Sequence, residues 1–183
     1  MSFFRHIQDL ILASQLKKEM ARTHRDKKFN SFVNSRSIGI LYMVGEEKDQ
    51  IEFTAFVTKL KEEKKEIKAL GLLKYKDIPH YCYPKISYDY ITTRNINWMK
   101  KPTGEKVHDF INKEFDILIN FDTTRNASLN YIAGLSHAKC KVGLFHEINK
   151  PIYDLMIDVQ AGCPFQELGQ HYINYINMFS QKT

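Results

Sequence analysis

The tetrapeptide Thr-Thr-Arg-Asn occurs twice, at 92–95 and at 123–126. An arginine fork beside threonine hydroxyls can receive a phosphate or a carboxylate, above all where a helix start offers unpaired backbone N–H groups. This singles out Thr92 and Arg94 in the first copy, and Asp122, Thr124 and Arg125 at the second. Thr and Asn are equally ordinary helix caps, so the same residues also have a purely structural reading. Asp122, His146 and Glu147, with His137 nearby in sequence, supply carboxylate–histidine partners for proton transfer. Asp154 and Asp158, four apart on a strand, share one face and could face a cation, although edge-strand solubility explains them as well. Cys140 opens an apolar run, and Cys163 opens the last helix, where a helix start lowers a thiol pKa. The segment Val-Gly-Glu-Glu-Lys-Asp at 44–49 has one glycine and three acids. It is neither a Gly-x-Gly-x-x-Gly turn nor a phosphate loop, which disfavours the usual dinucleotide site and names no cofactor. No Gly-x-Ser-x-Gly elbow is present, and cysteine spacing predicts no metal site.

The elements that must position these residues follow from periodicity. Dense apolar runs at 37–44, 67–74, 86–92, 116–121, 141–145 and 153–159 predict strands, several buried on both faces. Segments at 49–65, 104–114, 126–138 and 164–180 carry apolar residues at helical spacing. In the second helix of the chain this stripe is Ile51, Phe53, Phe56, Val57 and Leu60. Such alternation predicts an α/β fold: a single doubly wound, mostly parallel sheet of five or six strands with flanking helices. The segment 75–85, with two prolines and three tyrosines, breaks the rhythm and predicts an irregular connection. An amphipathic helix is expected from His6 to His24 as an addition to that core. The chain divides into an N-terminal basic arm, 1–30, and an α/β domain, 31–183.

Charge belongs mostly to the arm. Of a formal net charge of +6 in 183 residues, four units fall in the first thirty. Beyond Arg5, the basic residues there cluster at Lys17, Lys18, Arg22, Arg25, Lys27 and Lys28. They suggest contact with a partner or polyanion, with Tyr81, Tyr83, Tyr88 and Tyr90 as stacking platforms if the two regions share a side. Cations near a helix end are also favoured by its dipole without any ligand. Three unpaired-looking cysteines fit a reducing cytoplasm, and the longest aliphatic stretches are far short of a membrane span.

The basic N-terminal helix, the strand Arg-Ser-Ile-Gly-Ile-Leu at 36–41, the segment NYIAGLSHAKCKVGLF at 130–145 and YDLMID at 153–158 resemble a family of small bacterial proteins of unknown function. That resemblance implies a Rossmann-like or flavodoxin-like α/β domain and transfers no catalytic residue; the Asp-Thr-Thr-Arg-Asn loop is not part of it. The expected function is therefore a binding or interaction module using the N-terminal arm, through a protein partner or self-association. One alternative is an enzyme or sensor that binds a phosphorylated or carboxylated small molecule at the carboxyl edge of the strands. The other is nucleic-acid binding through the basic helix.

Overall fold

The computed structural model describes residues 2–83, 86–159 and 163–180. Six strands, β1 (Ser37–Met43), β2 (Glu66–Leu72), β3 (Tyr88–Ile91), β4 (Ile117–Asn120), β5 (Cys140–Leu144) and β6 (Leu155–Ile157), form one sheet in the order β3-β2-β1-β4-β5-β6, all parallel. The helices are α1 (Ser2–Met20), α2 (Glu47–Glu62), α3 (Glu105–Asn112), α4 (Ala127–Leu135) and α5 (Phe165–Ser180). The expected α/β class and strand positions are thus observed.

Each strand is apolar on both faces because both are covered. Ile38, Ile40, Tyr42 and Val44 of the first strand and its end meet α2 and α5, where Tyr42 stacks on Phe53 with centroids 3.8 Å apart. Leu41 and Leu118 turn to the opposite layer of α1, α3 and α4. In α2 the buried stripe is Phe53, Phe56, Val57 and Leu60, while Ile51 is 64% exposed. Ile51 sits two residues from Phe53, a half-turn that puts it on the outer face. The connection between β2 and β3 contains no helix among its described residues; Pro84 and Lys85 lie outside them.

The N-terminal helix is part of the α4 layer. Leu12 and Leu16 are buried against α4, which itself is nearly all buried because α1 and α3 cover it. At roughly 1.5–3 kcal/mol per buried leucine, this contact outweighs any surface charge effect of α1. The helices approach closely at Gly134, where a Cβ would lie 2.7 Å from Leu16 Cδ1. Glu19 adds polar pinning: it accepts from Lys101 Nζ at 2.9 Å and from the Tyr131 hydroxyl.

Two expectations change here. The helix ends at Met20, not His24, because the next residues are drawn elsewhere. Arg25 Nη1 donates to the carbonyls of Ala138 and Lys139 at 3.0 and 3.2 Å and its other nitrogen pairs with Asp154. Those carbonyls outcompete continued helix. The tyrosines do not join the basic segment either. Tyr88 and Tyr90 are buried in the α2–α5 layer, whereas the basic residues follow α1 over the opposite layer. Tyr81 donates to the Gly45 carbonyl, and Tyr83 is exposed.

Candidate functional site

In a sheet of this order the ligand crevice lies at the carboxyl ends of the strands, near the reversal between β1 and β4. The turn leaving β1 is closed by acids. Asp49 accepts the Glu46 N–H at 2.9 Å, and a Cβ on Gly45 would lie 2.0 Å from its Oδ2. A carboxylate therefore occupies the position where a pyrophosphate would approach the backbone, and its charge opposes one.

The turn leaving β4 has a similar logic. Asp122 is 6% exposed; its Oδ1 accepts from Thr124 N and Oγ1 at 2.9 and 2.6 Å, and its Oδ2 from Asn126 N. Asn126 in turn caps α4 by accepting from Ser128 N and Leu129 N. The loop so folded holds Arg125 at φ 58, in the left-handed region, with its side chain exposed. The first Thr-Thr-Arg-Asn copy is a cap: Thr92 is buried and accepts from Arg94 N at 3.2 Å, and Arg94 pairs with the exposed Asp77. Its strand, β3, is three positions from β4, about 14 Å at the usual strand spacing. The two arginines are not brought together.

Asp122 and Arg125 do meet a cavity of about 150 Å³ at the carboxyl ends of β4, β5 and β6. Beneath it runs an uncharged hydrogen-bond chain. Asn120 Nδ2 donates to the Tyr153 hydroxyl at 2.6 Å, and that hydroxyl donates to Asn130 Oδ1 at 2.8 Å. Asn130 Nδ2 donates to Asn149 Oδ1 at 3.2 Å, and Asn149 Nδ2 to the Leu144 carbonyl at 3.2 Å. Tyr172 of α5 donates to the Asn120 carbonyl at 2.8 Å, fixing the strand end from the other face. Burial pushes the Tyr153 phenol well above its ordinary value, so it stays a neutral donor. Asn120 is 3% exposed in a strand otherwise made of Ile and Leu. His146 and Asp158 complete the rim. The sequence offered Asp122, Arg125 and His146 through the strand-end rule, and Asp158 through its spacing from Asp154. It gave no such signal for Asn130, Asn149 or Tyr153, which look like ordinary helix and turn residues. Asn120 did carry a signal, a lone amide closing an apolar run, but the strand-end rule passes over it because it lies inside the strand.

Other candidates are dispersed. His137 follows α4, with its N–H on the Ile111 carbonyl, before the amino end of β5, whereas Asp122 lies beyond the carboxyl end of the neighbouring β4. Asp154 and Asp158 serve the two ends of β6, and Asp154 is held by Arg25, Lys27 at 3.6 Å and the Lys141 N–H, so they form no cation pair. Burial raises the Cys82 thiol to about 11 and the Cys140 thiol to about 12. Cys163 precedes α5 by two residues and is likewise raised, by burial and then by Glu167, the reverse of an activated thiol. Among the described residues, Cys163, Glu167 and His171 place one ligand atom each within 4.8 Å of one another, a donor set that zinc accepts. The set is solvent-facing, and the His171–Glu167 contact at 3.5 Å is an ordinary helix pair. Of the basic residues, Lys17, Lys18, Arg22, Lys27 and Lys28 are exposed, and Arg25 is enclosed by its partners. No helix among the described residues is long and apolar enough to cross a membrane.

A family model described as a family of unknown function, DUF6913, matches residues 8–179. No curated protein and no solved structure matches the chain.

Proposed function

The chain belongs to the family of unknown function DUF6913, and on that premise we propose that it is a Rossmann-like domain binding a small polar molecule at the carboxyl ends of β4–β6. The observation that carries this is the buried chain Asn120–Tyr153–Asn130–Asn149 beneath the cavity. Amides buried at a strand end cost free energy that apolar residues would not, and here they line the carboxyl ends of β4–β6, beside the β1–β4 reversal where this strand order collects ligands. The cavity of about 150 Å³ has room for roughly five water-sized groups at about 30 Å³ each. That suits a carboxylated or amide-bearing molecule and is too small for a nucleotide. Arg125 at the rim supplies a fork for a carboxylate, while Asp122 and Asp158 disfavour a more highly charged phosphoryl group. Three free thiols support a cytoplasmic setting.

The arm reading is weakened by the packing of α1. Its apolar stripe is engaged by α4, so a partner would meet only the exposed basic face. Nucleic-acid binding loses its stacking platform with Tyr88 and Tyr90 buried.

The test is a thermal-shift panel of small carboxylates, amides, polyols and phosphates on the full chain. A fitting ligand at a hundredfold excess over its Kd contributes about 2.7 kcal/mol, a rise of roughly 5 °C or more at this size. Asn130→Ala abolishes that rise and Arg125→Ala reduces it for carboxylates alone. A broad panel without a shift, or a shift indifferent to both substitutions, rejects the site.

A further inference from the structure

A second cavity, of about 300 Å³, lies between the end of α1 and the β5–β6 side of the sheet. Its walls include His24, Arg25, Lys27 and Lys141. Lys141 is the one lysine among the described residues that the interior encloses, at 2% exposure. It rises from β5 into the α4 layer, and its Nζ donates to the Gly134 carbonyl at 2.6 Å.

Charge around this cavity does not balance. Arg25 and Lys27 come from the segment after α1, Lys141 from β5, and the carboxylate facing them is Asp154, before β6. Both oxygens of Asp154 are already engaged, Oδ1 by Arg25 and Lys27 and Oδ2 by the Lys141 backbone N–H. Arg25 is fixed further by the Ala138 and Lys139 carbonyls, so it cannot swing out to solvent without breaking those bonds. A protonated Lys141 makes three fixed or tethered cations for one anion. We propose that this cavity binds a dianionic phosphoryl group, with Lys141 and Lys27 as its direct ligands and Arg25 as a fixed positive wall. The volume holds roughly ten water-sized groups, enough for a phosphate and a short substituent.

Proton uptake accompanies binding. Burial, followed by the repulsion of Arg25 and Lys27 and opposed by Asp154, brings the Lys141 amine down to about 7. His24 lines the same space from the segment of Arg25. An anion among these groups favours the charged amine, so at about pH 8 the site takes up most of one proton as it fills.

Calorimetric titration of the full chain at about pH 8, in two buffers of different ionisation enthalpy, tests this. Sulfate, a dianion that does not titrate in this range, serves for the proton count. Inorganic phosphate and glycerol phosphate are the other probes and separate a free ion from an ester. The expected result is saturable binding of all three, with near-stoichiometric proton uptake for sulfate. Lys141→Met removes the proton uptake and weakens binding at least tenfold. Lys27→Ser changes an exposed side chain and leaves the fold intact; it weakens binding about tenfold with proton uptake retained. Absence of saturable binding up to about 10 mM sulfate, binding without proton uptake, or full affinity in Lys27→Ser overturns the proposal. The Lys27 variant decides alone if Lys141→Met does not fold.

Discussion

At the scale of single residues, half-buried carboxylates tie separate segments of this protein together. Asp116 shows how. Its Oδ2 accepts from the N–H groups of Arg36 and Ser37 at 2.9 and 3.1 Å, and its Oδ1 from Lys139 Nζ at 2.9 Å, so one side chain ties the start of β1 to the approach of β5. Burial alone raises its pKa, but Lys139 and the two N–H groups outweigh it and hold the carboxyl at about 2. A depressed carboxylate contributes stability that is present above the unfolded value, near 4, and is lost as pH falls through the folded value. Asp116→Asn is expected to lower stability at neutral pH by about 1–3 kcal/mol and to flatten the loss between about pH 4 and 2. Urea unfolding across that range checks both. An unchanged acid limb in the variant assigns it to other groups, such as Asp154, which is also depressed.

At the scale of elements, the contact of α1 with α4 turns on a glycine and a leucine. A methyl at Gly134 meets Leu16 Cδ1 at 2.7 Å, too close for either helix to ignore. Gly134→Ala is expected to cost about 1–3 kcal/mol by overpacking, and Leu16→Ala about 2–5 kcal/mol by leaving a hole. Together they cost less than their sum, since the new methyl fills part of that hole. Additive costs in denaturant unfolding of the three variants contradict the close approach. Element boundaries also mark the limit of what the amino-acid sequence discloses. The strand at 37–43 is legible because Ile38, Ile40 and Leu41 must be buried on both faces whatever they touch. The end of α1 is not, because Arg25 leaves the helix for carbonyls more than a hundred positions away. Asp122 and Arg125 are legible from the rule that strand ends gather ligands. Asn130, Asn149 and Tyr153 acquire meaning only when β4, β5 and α4 converge, and local pattern carries no record of that convergence. Lys141 is the instructive intermediate: a lysine at the start of the apolar run Lys-Val-Gly-Leu-Phe reads as a strand end, yet β5 begins one residue earlier and encloses it.

For the whole molecule, the two cavities lie in different parts of the sheet and impose opposite electrostatics. One is rimmed by Asp122 and Asp158 with Arg125 as its single arginine, the other by Arg25, Lys27 and Lys141. The second has a consequence for global stability. An unfolded lysine titrates near 10.4, so between about pH 7 and 10 the unfolded chain binds more protons at this position than the folded one. Stability therefore rises with pH across that window through Lys141, by at most about 1.4 kcal/mol per unit. Lys141→Met should remove that slope and leave the acid limb of Asp116 intact. A slope that survives the substitution places its origin elsewhere. Phosphate at saturating concentration should flatten the same slope in the unaltered protein, because the bound anion keeps the amine protonated.

The place of α1 also bears on how the protein is made. Roughly a hundred residues separate its end at Met20 from the start of α4 at Ala127, and at about 5–20 residues per second a ribosome needs on the order of ten seconds to bridge them. For that interval Leu12 and Leu16 have no partner. Lys17 and Lys18, which follow them in α1, and Arg22 just beyond it are exposed and keep the waiting segment charged and solvated, a use for basicity in the nascent chain that is separate from the contacts Arg25 makes in the finished fold.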